Sequence, residues 1–185
     1  GIADKPEIIR LNETDVPFGT NLLFKYQDVL FGTEICEDLW VPLPPSTQHC
    51  LHGADLIFNL SASNELIGKH RYLRQLIEQQ SGRCHAGYIY ASAGFGESST
   101  DVVYAGNGII AENGVIIQSS ERFSFESQLV IAEIDTEKLK AEKLRNSNFY
   151  QAKSDAMYQT IPCKSSDIPF ERLHRSIEKH PFVPP

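Results

Sequence analysis

The chain has 185 residues, 20.8 kDa of mass and 41% hydrophobic residues, enough for one domain with a real core and too little for two. A formal net charge of -7 and a pI near 5.3, with no compensating basic run, argue against nucleic acid or an anionic membrane surface as partner. No stretch approaches the ~20 uninterrupted apolar residues of a membrane span, and the amino end, GIADKPEIIRLNETD, lacks the build of a signal peptide, so the cytoplasm is the expected location. Cys36, Cys50, Cys84 and Cys163 are scattered, with no CxxC pair and no histidine spaced for zinc; they read as reduced thiols, and no metal is expected.

In chain order, residues 1–21 have turn composition and offer no strand or helix strong enough to open a fold, so the chain is expected to begin in mid-domain. Residues 29–35, VLFGTEI, form a partly β-branched apolar run that predicts a buried strand delivering Cys36 at its end. PPSTQHCLHG predicts a short helix with proline in its first turn, closed by Gly53. ADLIFNL (54–60) predicts the next strand, and the apolar spacing of Leu66, Leu73, Leu76 and Ile77 predicts a helix from Glu65 to Ser81 closed by Gly82. AGYIYAS (86–92) follows as a third strand. Glu112-Asn113-Gly114 between two apolar runs predicts a hairpin. SQLVIAEID (127–135) predicts a further strand, Thr136 to Arg145 a helix, and the stretch beyond Tyr150 is polar and irregular. The alternation of strand and helix implies an α/β fold on a mainly parallel or mixed sheet, with its site at the carboxyl ends of the strands.

Cys36 stands in Glu34-Ile35-Cys36-Glu37-Asp38-Leu39-Trp40, at a strand end before a turn with prolines at 42, 44 and 45. That is a suitable place for a nucleophile on a sharp bend, where the next amide helps hold an oxyanion; a buried structural thiol fits the position too. Carboxylates at 34, 37 and 38 would oppose a thiolate if they faced it, so a working nucleophile needs a cation and a base brought by the fold. Gly94-Phe95-Gly96 belongs to no GxGxxG or GxxxxGK[ST] pattern, which argues against nucleotide binding and any bound cofactor in this chain.

Glu-Ile-Cys-Glu-Asp-Leu-Trp and the following Val-Pro-Leu-Pro-Pro-Ser resemble the cysteine segment of the nitrilase, or carbon–nitrogen hydrolase, superfamily, and within it the glutaminase domain of the glutamine-dependent NAD synthetases. Asn59-Leu60-Ser61-Ala62-Ser63-Asn64 with Ile67-Gly68-Lys69 resembles the next segment of that family. Ala93 to Asp101, Gly106-Asn107-Gly108 through Glu112-Asn113-Gly114, and Ser120-Glu121-Arg122-Phe123 extend the similarity over about residues 15–150. His180-Pro181-Phe182-Val183-Pro184 resembles the link into a synthetase domain.

The resemblance implies about the second half of a four-layer αββα sandwich, with residues 1–150 in the glutaminase domain and 151–185 an extended linker. It implies that Cys36 attacks the carboxamide carbon of glutamine, with the amide of Glu37 as second oxyanion donor. It places Glu37, Trp40, Ser63 and Lys69 at the glutamine-binding positions. Taken without the resemblance, Ser63 is a turn or cap residue, Lys69 a solvated charge and Trp40 a packing residue. A lysine at position 69 cannot supply the planar fork of the arginine found in some relatives. Cys50, Cys84 and Cys163 are structural or incidental. GFGESSTD is expected to be a structural or interface loop that approaches the glutamine site or the ammonia path.

The triad glutamate and lysine of the superfamily lie well upstream of the cysteine, and neither role carries over to Glu7, Glu13, Glu34, Lys5 or Lys25. The chain is therefore expected to be inactive alone, with ATP and Mg serving a synthetase domain outside it and the missing glutaminase residues as partner. An uncovered apolar sheet face, as half a sandwich would leave, predicts self-association or a companion segment. A stand-alone amidase of the superfamily and a noncatalytic α/β interaction module remain as rivals.

Overall fold

The computed structural model describes residues 5–98, 100–164 and 173–176. Two short strands, β1 (Glu7–Leu11) and β2 (Thr14–Phe18), form an exposed antiparallel hairpin whose turn residues Asn12 and Glu13 take φ of 46° and 66°. That left-handed turn is the twist a two-residue hairpin favours, and it gives structure to residues that read as turn alone. The rest builds on β3 (Leu22–Tyr26), β4 (Val29–Ile35), β5 (Leu56–Ser61), β6 (Gly87–Ser92), β7 (Gly108–Glu112), β8 (Val115–Ser119) and β9 (Gln159–Pro162). These seven form one sheet in the order β8-β7-β6-β5-β4-β3-β9. Pairing is parallel for β4 with β5, β5 with β6 and β3 with β9, and antiparallel elsewhere. The mixed α/β sheet expected from the sequence is therefore present.

Two helices, α1 (Pro45–Leu51) and α2 (Lys69–Cys84), are the crossovers that let β4, β5 and β6 run parallel. Both cover one face, where Leu39, Cys50, Ile57, Leu73, Ile77, Cys84, Tyr88, Tyr90 and Ile109 share the core. The predicted start and stop of α2 are corrected. Gly68, at φ 81°, holds the preceding turn out of the helix. The carboxyl end falls at left-handed His85, whose amide and that of Ala86 reach the carbonyls of Gly82 and Ser81 at 3.2 and 3.0 Å. Gly82 lies inside α2 because the hairpin crosses there: an added Cβ would stand 3.2 Å from Gly114 Cα. Asn113 and Gly114, at φ 47° and 90°, make that hairpin turn as expected.

The third helix, α3 (Thr136–Arg145), has the predicted bounds, and Asp135 caps it by accepting from Lys138 N at 2.9 Å. The strand expected at 127–135 is not one. Its alternating pattern is used to lay the segment across the sheet face opposite α1 and α2, with Ile134 against Gly87 and Val130 against Gly108, and it pairs with no ladder. Beyond that crossing the same face is open: Ile35 is 66% exposed and Leu60 61%. Phe24 stacks on Phe31 and Phe31 meets Phe58 edge-to-face along it, with ring centroids 5.3 and 5.4 Å apart.

The boundary at residue 150 is also corrected. β9 and Tyr158 lie inside the stretch expected to be linker, and β9 completes the sheet beside β3 through main-chain pairing that a polar composition does not forbid. Further on, Arg175 makes a bidentate pair with buried Glu112, at 2.5 and 2.9 Å. The HPFVPP tail lies outside the described residues.

Tyr158 is held through α1. His49 Nε2 meets the Thr33 carbonyl at 3.1 Å, so that nitrogen donates and Nδ1 accepts from the Tyr158 hydroxyl, also at 3.1 Å. Burial lowers the His49 pKa below 6.5 against the opposing pull of the Thr33 carbonyl, and burial with Arg122 lowers that of His70. Both rings bind fewer protons folded than unfolded, so their contribution to stability is whole above the unfolded value and is lost as pH falls below it. The urea midpoint is expected to be flat above pH about 7 and to drop on acidification below about 6.5. A midpoint that rises on acidification over that range would contradict this account.

Candidate active site

β4 ends at Ile35, and Cys36 opens a tight 3-10 turn, Cys36–Trp40. Cys36 has φ +51°, a left-handed conformation that costs a residue with a Cβ on the order of 1–3 kcal/mol. A strained residue at the carboxyl edge of a parallel strand is what presents a nucleophile above a sheet.

The side-chain alternation of the strands explains how that conformation is held. Glu34, Asn59 and Tyr88 all point to the helix-covered face and are essentially buried. Asn59 Oδ1 accepts from Cys36 N at 3.1 Å, and its Nδ2 donates to the Tyr88 hydroxyl at 3.1 Å and to the Cys36 carbonyl at 3.4 Å. Tyr88 donates in turn to Glu34 Oε1, and Glu34 Oε2 accepts from Ser46 N, in the first turn of α1, at 2.8 Å. Burial first, and the Glu34 carboxylate second, push the Tyr88 phenol far above its ordinary pKa, so it stays protonated and donates.

The carboxylates that seemed to oppose a thiolate are committed elsewhere. Glu34 points into the core, and Asp38 Oδ2 accepts from Ile35 N at 2.8 Å, closing the turn. Glu37, second in the turn, keeps an exposed side chain.

The other predicted site residues form two groups. Lys69, the first residue of α2, reaches back over Trp40, with Nζ 5.3 Å from the ring centroid, and donates to the Asn64 carbonyl at 2.7 Å. Trp40 also meets Tyr72 at 5.4 Å, and its Nε1 is buried with no hydrogen-bond partner among the described residues. Ser63 joins the second group, around Tyr90. The Tyr90 hydroxyl donates to Ser61 Oγ at 2.8 Å, with the Ser92 and Ser63 side chains in the same cluster. Burial raises the Tyr90 pKa against the pull of Ser61, and Cys36 is near enough to add to the rise. Ser63 thus belongs to the Tyr90 cluster, while Trp40 and Lys69 share one stack. The loop behind them is tied by Glu65, which accepts from Asn107 at 2.8 Å and Arg122 at 2.9 Å.

Asn59, Tyr88 and Tyr90 were not singled out as site residues from the sequence. A signal was available: Glu34 and Asn59 interrupt two apolar strands at positions paired in register, and a polar residue on a core-facing strand position requires a partner.

No family model matches the chain. The fold is of the nitrilase, or carbon–nitrogen hydrolase, type. Nit3 of Saccharomyces cerevisiae, a member of the nitrilase superfamily, superposes with a TM-score of 0.58 over 77% of this chain and 51% of its own, at 19% identity, a likeness of fold alone. The chain matches one segment of the glutamine-dependent NAD(+) synthetases over nearly its whole length. The glutamine-dependent NAD(+) synthetase of Mycobacterium tuberculosis is 40% identical over 185 residues, 95% of this chain. The chain spans 27% of the length of that relative. The crystal structure of a glutamine-dependent NAD(+) synthetase from Cytophaga hutchinsonii superposes with a TM-score of 0.58 and 32% identity, over 68% of this chain and 20% of its own.

Proposed function

We propose that this chain supplies the cysteine-bearing part of a glutaminase site that feeds ammonia to NAD synthesis. The observation that carries the reading is Cys36, held left-handed at the carboxyl end of β4. The Cys36 thiolate attacks the carboxamide carbon of glutamine, and the oxyanion forms beside the amide of Glu37. The C–N bond breaks, ammonia leaves with the proton it requires, and water then cleaves the thioester to release glutamate and the thiol. Glu37 pairs with the ammonium of the substrate, Ser63 with its carboxylate, and Trp40 with Lys69 forms a wall of the site. Ammonia then amidates deamido-NAD adenylate in an ATP- and Mg-dependent synthetase domain of the same protein.

The proton carrier and the cation that complete a nitrilase triad are assigned to no residue of this chain, so its activity alone is nil or very weak. The native-length protein is expected to release ammonia from glutamine and to be labelled at Cys36 by a glutamine-like diazoketone. A native-length protein that does neither would rule the reading out.

The same reading puts the protein in the cytoplasm; among the described residues no helix is long and apolar enough to cross a membrane. It also covers the open sheet face around Ile35 and Leu60 by homo-oligomerisation or by further glutaminase sequence. Sedimentation of the 185-residue chain is expected to show association that grows with concentration. A clean monomer that binds no apolar dye would count against it.

A further inference from the structure

We propose that Asn59 is a positioning residue for the nucleophile, gripping the Cys36 backbone from both sides and itself oriented by Tyr88 and Glu34. The proposal rests on the glutaminase reading above, and adds residues that touch neither substrate nor the reacting sulfur.

Cys36 adopts an unfavoured φ of +51°, and such a conformation persists only where the surroundings determine it. Asp38 closes the turn from within, and one side chain from outside it meets both flanks of Cys36. Asn59 Oδ1 takes the Cys36 amide hydrogen at 3.1 Å, and Asn59 Nδ2 faces the Cys36 carbonyl at 3.4 Å, so both peptide groups flanking the Cα are fixed from β5. An amide can flip, which would put Nδ2 against an amide hydrogen and lose the grip. Tyr88 prevents this by bridging Nδ2 to a carboxylate: its oxygen accepts from Asn59 at 3.1 Å and its proton goes to Glu34. Glu34 is an acceptor on both oxygens, its second one holding Ser46 N at 2.8 Å, so the chain of donors has a single direction. All three side chains are buried, where a hydrogen bond is strong and an unmade one costly.

The catalytic consequence is geometric. The sulfur follows the Cα–Cβ bond, and relaxing φ at Cys36 swings that bond away from the substrate carbon while Ser63 and Lys69, carried on other segments, keep their places. Asn59→Ala in the native-length protein is therefore expected to lower kcat for glutamine hydrolysis by about 10²-fold with KM changed less than about threefold, the mark of a misplaced reacting group. Amide hydrogen exchange at Cys36 is expected to speed up by at least about tenfold in the same variant. Tyr88→Phe keeps the ring in the core and removes only the bridge; it is expected to lower kcat by about tenfold, again at near-constant KM.

A folded Asn59→Ala with kcat within threefold of wild type, or with unchanged Cys36 amide exchange, overturns the proposal. If that variant does not fold, Tyr88→Phe decides by the same two readings. Should the wild-type protein fail to hydrolyse glutamine, the glutaminase reading falls, and the exchange measurement still decides whether Asn59 holds Cys36.

Discussion

On the proposed glutaminase reading, Cys36→Ala in the native-length protein is expected to reduce glutamine hydrolysis by at least about 10³-fold, with the fold intact, because the covalent route disappears and only binding and electrostatic stabilisation are left. Alanine keeps a Cβ and so keeps the left-handed strain at φ +51°. Cys36→Gly removes that strain, since glycine adopts positive φ at no steric cost. The glycine variant should be equally inactive and yet more stable than the alanine variant, by roughly 1 kcal/mol. Ammonia release and urea midpoints of the pair test this. A glycine variant less stable than the alanine one would mean that the turn is not strained, and activity within about tenfold of wild type in either would remove Cys36 from the nucleophile's role.

The largest effect on stability is expected at Asp55. It and Lys143 are 2% and 3% exposed, with Lys143 Nζ 3.7 Å from Oδ1 and bonded to the Ala54 carbonyl at 2.5 Å. Asp55 Oδ2 also accepts from Leu30 N at 3.1 Å and lies 3.6 Å from Lys140, so one carboxylate joins β4, the start of β5 and α3. Asp55→Ala strands the Lys143 ammonium in the interior and should cost about 3–5 kcal/mol. Adding Lys143→Met to that variant should recover a large part of the loss, because the charge goes with its partner. Denaturant unfolding of the two singles and the double gives the coupling; strict additivity would show that the pair is not linked as drawn.

The parts legible in the sequence were those where local chemistry and tertiary structure agree. VLFGTEI is a strand because it is apolar and β-branched, and Thr136 to Arg145 is a helix because Asp135 can cap it. SQLVIAEID has an equally good strand pattern, but a strand is a pairing, and this segment lays Val130 and Ile134 on the sheet face and leaves Leu129 and Ile131 exposed. β9 failed in the opposite sense: little in Gln-Thr-Ile-Pro predicts a strand, and it becomes one because β3 offers a free parallel edge. At the site, Cys36 and its sharp turn could be read locally. The stack of Lys69 on Trp40 required the close approach of α2's first residue to the 3-10 turn, a distance no spacing encodes. Asn59 and Tyr88 required the register of β4, β5 and β6, which brings side chains from three strands together on one face of the sheet.

The pairing of β3 with β9 also governs how the molecule comes into being. Leu22 and Gln159 are partners, so β3 leaves the ribosome well over a hundred residues before the strand that pairs with it. At roughly 5–20 residues per second that interval is on the order of ten seconds. Throughout it the outer amides and carbonyls of β3 are unsatisfied, a template open to the same strand of a neighbouring nascent chain.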